Sequence, residues 1–397
     1  MKIMFMSADT GGGHRASSMA LAAQFLKLDP SIQYELYDIW TKHGVWPYSS
    51  LVDSYTYLSA RPRKWRFLYH LSNSAPYCAF MNWNSNITGY RKVRRALKEI
   101  NPDAIVSVHP TMTNTPQLVV RSIRKETGKR IPIFTVVTDL GSGHATWFTR
   151  RMEKIFVASG RMEKLARWRG WCSRDQIVNT GLPIRPEFGE RAAAMGPVGS
   201  PERTSYQKTM RSTLGVADAD KPMCLIMGGG EGVGSLGPLV DSVYARLARD
   251  GVDATLLVVC GRNEELRAGL ETKDWAAVQA PETGRVRKCP RFCPLLPLSR
   301  FVRERSKPPA PFLTLTTSLA GNVQVVVEEK FGDYRRDPGD GAKVISAWLR
   351  DENLLEEMSR NSARNGHPSA AADISKTIYE RVVEVKNENE AEGVRGR

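Results

Sequence analysis

Residues 2–26 read KIMFMSADTGGGHRASSMALAAQFL, and the fold is decided inside them. Lys2–Met6 is a run of strand length with four apolar residues in a row, the form of a strand buried on both faces. A glycine turn follows at Gly11, Gly12 and Gly13, and from Arg15 the apolar residues return at helical spacing, as in Leu21, Phe25 and Leu28. Strand, glycine turn and helix in that order open a βαβ unit, so a parallel sheet is expected.

The unit recurs downstream. Strands are expected at Gln33–Tyr37, Ala104–Val108, Ile133–Val137, Ile155–Ala158 and Ile177–Asn179, with helices over Gly89–Ile100, Thr115–Thr127 and Met162–Arg169. Gly196–Thr204 (GPVGSPERT) is small and polar with two prolines, the composition of a linker. Beyond it the alternation restarts with strands Met223–Met227 and Thr255–Val259 and helices Leu239–Arg249 and Asn263–Leu270. A chain of 397 residues is long enough for more than one core. The expectation is therefore an α/β protein of two Rossmann-like domains facing a cleft, residues 1–195 and 205–386 joined by 196–204, with a disordered tail over 387–397. Between Ala280 and Phe312 the pattern collapses into seven prolines and eight basic residues against two acidic ones, so the second domain reads as partly degraded around 280–318.

Composition narrows the function. Hydrophobic residues at 41% and charged residues at 25% fit a folded globular chain. No stretch reaches the 18 apolar residues of a membrane-spanning helix. The six cysteines show no CxxC spacing, which argues against a disulfide framework and a structural zinc site. The formal charge of +15 favours phosphorylated substrates, anionic headgroups or nucleic acid, and no nucleic-acid-binding signature accompanies it. From Trp40 to Tyr90 aromatic and basic residues crowd together, including Trp65, Phe67, Tyr69, Phe80 and Trp83 with Arg61, Arg63, Lys64 and Arg66. Such a segment suits a lipid headgroup interface or, equally, a two-helix insertion with its rings in the core. No targeting segment is visible ahead of Lys2.

The chemistry concentrates at strand exits. The turn Ser7–Arg15 has neither the Gly-Lys-Ser/Thr of a phosphate loop nor GxGxxG spacing, and it carries His14 where a general base would stand. Asp9 is placed to orient that imidazole or to stabilise its cation. His109 in Val108-His109-Pro110, and Asp139 with His144 after Thr138, leave two further strands on the edge where such sheets bind ligands. A zinc site from His14, His109 and His144 lacks both i,i+4 spacing and a thiolate. In the second half Met227–Gly234 (MGGGEGVG) repeats the strand–glycine–helix arrangement and would cradle a diphosphate on backbone amides, with Arg185 as a counter-charge.

In order, SADTGGGHRASS (7–18), WPYS (46–49), VSVHPTM (106–112), FTVVTDLGSGHATWF (134–148), GLPIRPEF (181–188), MGGGEGVG (227–234) and CGRN (260–263) resemble the monogalactosyldiacylglycerol synthases, glycolipid-forming glycosyltransferases related to bacterial N-acetylglucosaminyltransferases. The resemblance implies a GT-B fold, with an N-terminal acceptor domain and a C-terminal donor domain. It implies transfer of galactose from UDP-galactose to diacylglycerol with inversion, without metal or cofactor. On this resemblance His14 and Asp9 are the catalytic pair. Gly11, Gly12, Gly13, Trp46, Pro47, His109, Asp139 and His144 fall on the acceptor side. Arg185, Gly228, Gly229, Gly230, Glu231, Arg262 and Asn322 fall on the donor side. It further implies peripheral association with an anionic phospholipid surface (phosphatidate, phosphatidylglycerol), with nucleic acid excluded as a partner. The family's place is the chloroplast envelope, with the cytoplasm as the alternative.

The chain also departs from the family. An AGPGTIAEA-type donor motif is absent, and at the QExGN position the sequence reads Ser318-Leu319-Ala320-Gly321-Asn322. A leucine cannot hydrogen-bond a sugar. Two alternatives therefore stand beside the galactosyltransferase: a diacylglycerol glucosyltransferase, and an impaired member that only binds anionic lipid.

Overall fold

The computed structural model describes residues 1–8, 13–40, 62–214, 216, 220–227, 236–260, 263–273, 275, 312–314 and 320–393, with the side chains of 62, 63, 65, 66, 312–314 and 320–322 excepted. The chain divides into two compact units, residues 1–186 with 367–397, and residues 187–366.

The first unit begins with β1 (Lys2–Met6), α1 (Gly13–Leu28), β2 (Gln33–Tyr37), α2 (Pro62–Ser72) and α3 (Ala75–Ile100). It continues through β3 (Ala104–Ser107), α4 (Asn114–Thr127), β4 (Ile133–Val136), β5 (Lys154–Val157), α5 (Gly160–Gly170) and β6 (Ile177–Asn179). These strands form one six-stranded sheet in the order β2-β1-β3-β4-β5-β6, parallel throughout. Alternation along β1 shows why the sheet is covered twice. Ile3 and Phe5 pack with Leu21 and Phe25 of α1, whereas Met4 and Met6 pack with Val93 and Leu97 of α3 and Val119 of α4.

The strand order reverses between β1 and β3. The chain leaves β1 for β2 on one side and then crosses to β3 on the other, so the ends of β1 and β3 diverge into a crevice. That is where open α/β sheets bind ligands.

The second unit holds α6 (Pro186–Met195), whose first residue still belongs to the first unit, then α7 (Pro201–Thr213), β7 (Met223–Met227), α8 (Leu236–Arg249), β8 (Thr255–Val259) and α9 (Glu264–Thr272). After these come β9 (Phe312–Thr314), α10 (Ala320–Glu328), β10 (Gly332–Tyr334), α11 (Pro338–Arg350) and α12 (Glu352–Asn365). β7 pairs with β8 and β9 with β10, both in parallel. Ile226, Val240, Val243, Leu256, Val258 and Ile345 share one core, the helix-on-sheet packing expected of a βαβ unit.

Two expected boundaries differ. Within 196–204 only the first residues are irregular, because Ser200 accepts from the Arg203 N–H and caps α7, which takes in 201–204. The last helix, α13 (Ala370–Ala391), belongs to the first unit and runs through 387–391, where a disordered tail was expected. Its Ile374, Ile378 and Val382 complete the core under Phe5 and Phe156, and Ser375 Oγ donates to the Leu21 carbonyl at 3.2 Å. Its polar end is tied as well. Asn389 bonds both backbone groups of Arg130 at 2.9 Å, and Arg381 and Arg130 share Glu153 and Glu388. An acidic, asparagine-rich sequence that looks solvated by composition is held in place by partners more than 200 residues away.

Candidate active site

Three histidines sit at the carboxyl edge of the sheet, and the structure divides them into two kinds. His109 follows β3 and is 4% exposed. It caps the short turn Pro110–Met112, its Nδ1 accepting from the Thr111 N–H at 3.3 Å. The Thr111 hydroxyl accepts from the Trp40 indole at 2.7 Å and lies 2.9 Å from the same Nδ1. Acceptance from a backbone N–H leaves Nδ1 without a proton, so the ring is the neutral Nε2–H tautomer. Burial drives its pKa well below the ordinary histidine value, helped by the neighbouring His14 and His144.

His144 repeats the arrangement. It caps the turn Ala145–Trp147, with Nδ1 accepting from the Thr146 N–H at 3.3 Å and 2.8 Å from the Thr146 hydroxyl. Its Nε2 is 3.3 Å from Ser72 Oγ, which itself donates to the Tyr69 carbonyl, so the ring N–H donates to Ser72. Burial pushes its pKa down to about 4, against a hydrogen bond to the Ser72 backbone that raises it. The two turns join where Thr113 Oγ1 donates to the Thr146 carbonyl at 2.8 Å. Both follow the pattern His-x-Thr-large apolar, His109-Pro110-Thr111-Met112 and His144-Ala145-Thr146-Trp147. The hydrogen bonds at Nδ1 in both rings serve these turns.

His14 differs. It stands in the first turn of α1, half-buried, and is held by a residue 124 positions away: its Nδ1 lies 3.0 Å from the Thr138 hydroxyl, just after β4. Its ring meets His109 edge-on at 4.7 Å between centroids and lies 6.1 Å from the buried Trp147 ring. Burial lowers its pKa, while hydrogen bonding to the Val108 backbone raises it. The ring is thus neutral at pH 7, as a proton acceptor must be. Next to it, Gly13 is exposed and, among the described residues, has nothing within 4 Å of where a Cβ would stand.

Asp139 accepts from the Trp147 Nε1–H at 2.7 Å and so fixes the indole beside His14. Burial pushes its carboxyl up to about 6, the indole hydrogen bond notwithstanding. Gly143 makes the same turn possible, because a Cβ there would fall 2.4 Å from Met162 Cε and 3.3 Å from the Trp147 ring.

The structure therefore brings together His14, His109, Asp139 and His144 of the residues read from sequence. Arg185 is exposed on the segment leading to α6, which Ser17 of α1 reaches through a 3.4 Å bond to the Pro183 carbonyl. Asp9, Gly11, Gly12, Trp46, Pro47, Gly228, Gly229, Gly230, Glu231 and Arg262, and the side chain of Asn322, lie outside the described residues, as does most of 280–318. Among the described residues the partner at the His14 Nδ1 is Thr138, and the expectation for Asp9 stays with a residue outside them. Thr111 and Thr146 were not among the candidates, whereas Thr138 and Trp147 stood in the sequence only as neighbours of Asp139 and His144. The repeated His-x-Thr pattern would have flagged both threonines, and nothing local ties Thr138 to His14. Among the described residues no cluster of His, Cys, Asp and Glu could hold a metal ion, and no helix is long and apolar enough to cross a membrane.

The chain is similar to known proteins in sequence and fold. Residues 14–184 match the family model of monogalactosyldiacylglycerol (MGDG) synthase. The chain is 31% identical to monogalactosyldiacylglycerol synthase 1, chloroplastic, of Arabidopsis thaliana, over 96% of this chain and 71% of that protein. It is 30% identical to the chloroplastic synthase of Spinacia oleracea, over 96% of this chain and 72% of that one. Among solved structures, MurG of Acinetobacter baumannii superposes with a TM-score of 0.57 at 12% identity, covering 96% of this chain and 99% of MurG. The fold is the α/β GT-B fold of glycosyltransferases. On sequence and fold together, the chain belongs to the monogalactosyldiacylglycerol synthase family.

Proposed function

We infer that the protein transfers galactose from UDP-galactose to the free hydroxyl of diacylglycerol with inversion, His14 acting as general base. The observation that supports this most is a neutral imidazole at the β1–β3 switch point of the sheet, held at Nδ1 by Thr138. In the base-competent tautomer Nδ1–H donates to the Thr138 hydroxyl and Nε2 offers its lone pair. The acceptor hydroxyl loses its proton to Nε2 as its oxygen attacks the anomeric carbon. The bond from that carbon to the diphosphate oxygen breaks, and UDP departs with the electron pair. One in-line displacement needs one base, which agrees with a site whose described residues offer one imidazole outside the capped turns.

On the donor side the reading rests on the glycine run Gly228–Gly230 with Glu231, and on Arg185, Arg262 and Asn322, as diphosphate and sugar contacts. The acceptor is a bilayer lipid, so the protein works at a membrane surface as a peripheral enzyme, in the chloroplast by its relatives' names.

Purified protein given UDP-galactose and dispersed diacylglycerol should release UDP and form galactolipid. Intact, folded protein that releases none contradicts the reading. UDP-glucose supplied in parallel decides the sugar. A second reading, a lipid-binding member without transfer, is favoured by Leu319 at the hexose-contacting position. Absence of saturable UDP binding would select it.

A further inference from the structure

The corner where α2 passes into α3 is tied to the active-site edge by polar bonds. Among its described side chains α2 buries none, and the first fully buried residue of α3 is Ser85. Before it, Met81 packs against the core while only partly buried. The corner instead grips the loop Ser142–Trp147. Asn73 Oδ1 accepts from the Ala145 N–H at 2.8 Å, and His144 Nε2 donates to Ser72 Oγ at 3.3 Å. The Tyr69 hydroxyl shares a hydrogen bond with the Ser142 side chain, and its ring meets His144 edge-on at 6.2 Å. An N–H at the start of a helical turn has no partner within that turn, so Asn73 supplies the acceptor for Ala145 from far along the chain. The same loop ends in Trp147, whose indole N–H is held by Asp139 and whose ring lies 6.1 Å from His14. One chain of contacts thus runs from the corner through the loop to the imidazole.

We propose that Asn73 is a positioning residue for the transfer reaction: the corner, latched by Asn73, Ser72 and Tyr69, holds the Ser142–Trp147 loop so that the Trp147 ring stays seated against His14. Thr113 holds the Thr146 carbonyl and Asp139 the Trp147 indole, whereas Ser142, the His144 Nε2 and the Ala145 N–H have their partners in the corner. Without the corner the loop is fixed at one end, and its tilt carries the indole with it. An element held by a few hydrogen bonds opens at lower free energy than the packed sheet beneath it. A misplacement of about 1 Å, even one that starts far from the chemistry, can lower a rate about a hundredfold. The inference rests on the reading of His14 as the base and adds a residue that acts on it through the loop.

Asn73→Ala tests it, beside Asn73→Asp, which keeps an oxygen acceptor, and Tyr69→Phe, which keeps the ring and loses the hydroxyl. UDP release with UDP-galactose and dispersed diacylglycerol gives kcat and KM. The His14 ring signal is followed by NMR on protein labelled in its histidines. For Asn73→Ala the expected kcat is about fivefold to tenfold lower, with KM changed by less than about twofold. The His14 signal should shift as the ring current of Trp147 at that position changes, and Asn73→Asp should return both readouts toward wild type. Should Asn73→Ala fail to fold, Tyr69→Phe decides, with kcat expected about threefold lower and the same signal displaced. A folded Asn73→Ala protein with kcat within about twofold of wild type overturns the proposal. So does a loss of kcat with the His14 signal unmoved, or one that Asn73→Asp does not restore. Where the wild type transfers and the variants match it, the latch falls and the enzyme stands. Where the wild type transfers nothing, the signal alone decides: a displaced signal keeps the contact and ends the enzymatic reading, and an unmoved one ends both.

Discussion

The turns that follow β3 and β4 differ from the turn that opens α1 in what their histidines are for. His109 and His144 are locked by the backbone and hydroxyl of a threonine two residues on, and their Nδ1 atoms are acceptors already engaged. His14 has no such local turn and is positioned from the far side of the sheet by Thr138. Equal residue types at one sheet edge therefore do unequal work. A histidine whose acceptor nitrogen serves its own backbone holds a loop in shape, and one held by a distant hydroxyl is not committed to a turn of its own.

The largest effect that tests this contrast is on turnover. His14→Ala should cut galactose transfer about 10²–10⁴-fold with an unchanged melting temperature, measured as UDP release. An equal loss in a well-folded His144→Ala protein would erase the distinction. Thr138→Ala should lower kcat about tenfold with KM little changed, and Thr138→Ser should restore most of it, since only the hydroxyl matters.

For the capping histidines the expected effects fall on stability. His144→Ala removes the acceptor of the Thr146 N–H and should cost about 1–2 kcal/mol in denaturant unfolding. Gly181→Ala belongs to the same scale. It would force a φ of +86° on a residue with a Cβ and press that Cβ to 2.4 Å from His367, at a cost of about 1–3 kcal/mol.

Acid sharpens the comparison further. The folded-state pKa of His144 lies at about 4, below the ordinary 6.5, so between these values the unfolded chain binds the extra proton and stability falls as pH falls. His14 and His109 act in the same direction. Asp139, raised from 3.8 to about 6, acts in the opposite sense, because there the folded state holds the proton. With three groups against one, the melting temperature should drop on acidification through this window. His144→Asn should flatten the slope, and an unaltered slope would count against the depressed pKa.

Much of the first unit was legible because its strands are short apolar runs and its helices bury one face. β1, β2 and β6 begin and end where the pattern places them. The start of α3 was not legible. The pattern suggests a helix from Gly89, and the helix begins at Ala75, because over 75–88 the rings face outward and Ser85 and Asn86 face α4. Inverted polarity hides a helix from any reading that seeks apolar residues on the buried side. The site was legible in its histidines, since a strand exit followed by a glycine turn has few other uses. Its second layer was not. Thr138 and His14 meet through the order of the sheet, and α13 returns to the first unit only after the whole of the second has been built.

The most direct test of His14 as the base is the pH dependence of kcat/KM for galactose transfer. The account predicts an acid limb with its midpoint below 6.5, because burial lowers the imidazole pKa. A midpoint above that value, or a rate that stays level as the imidazole protonates, would contradict it.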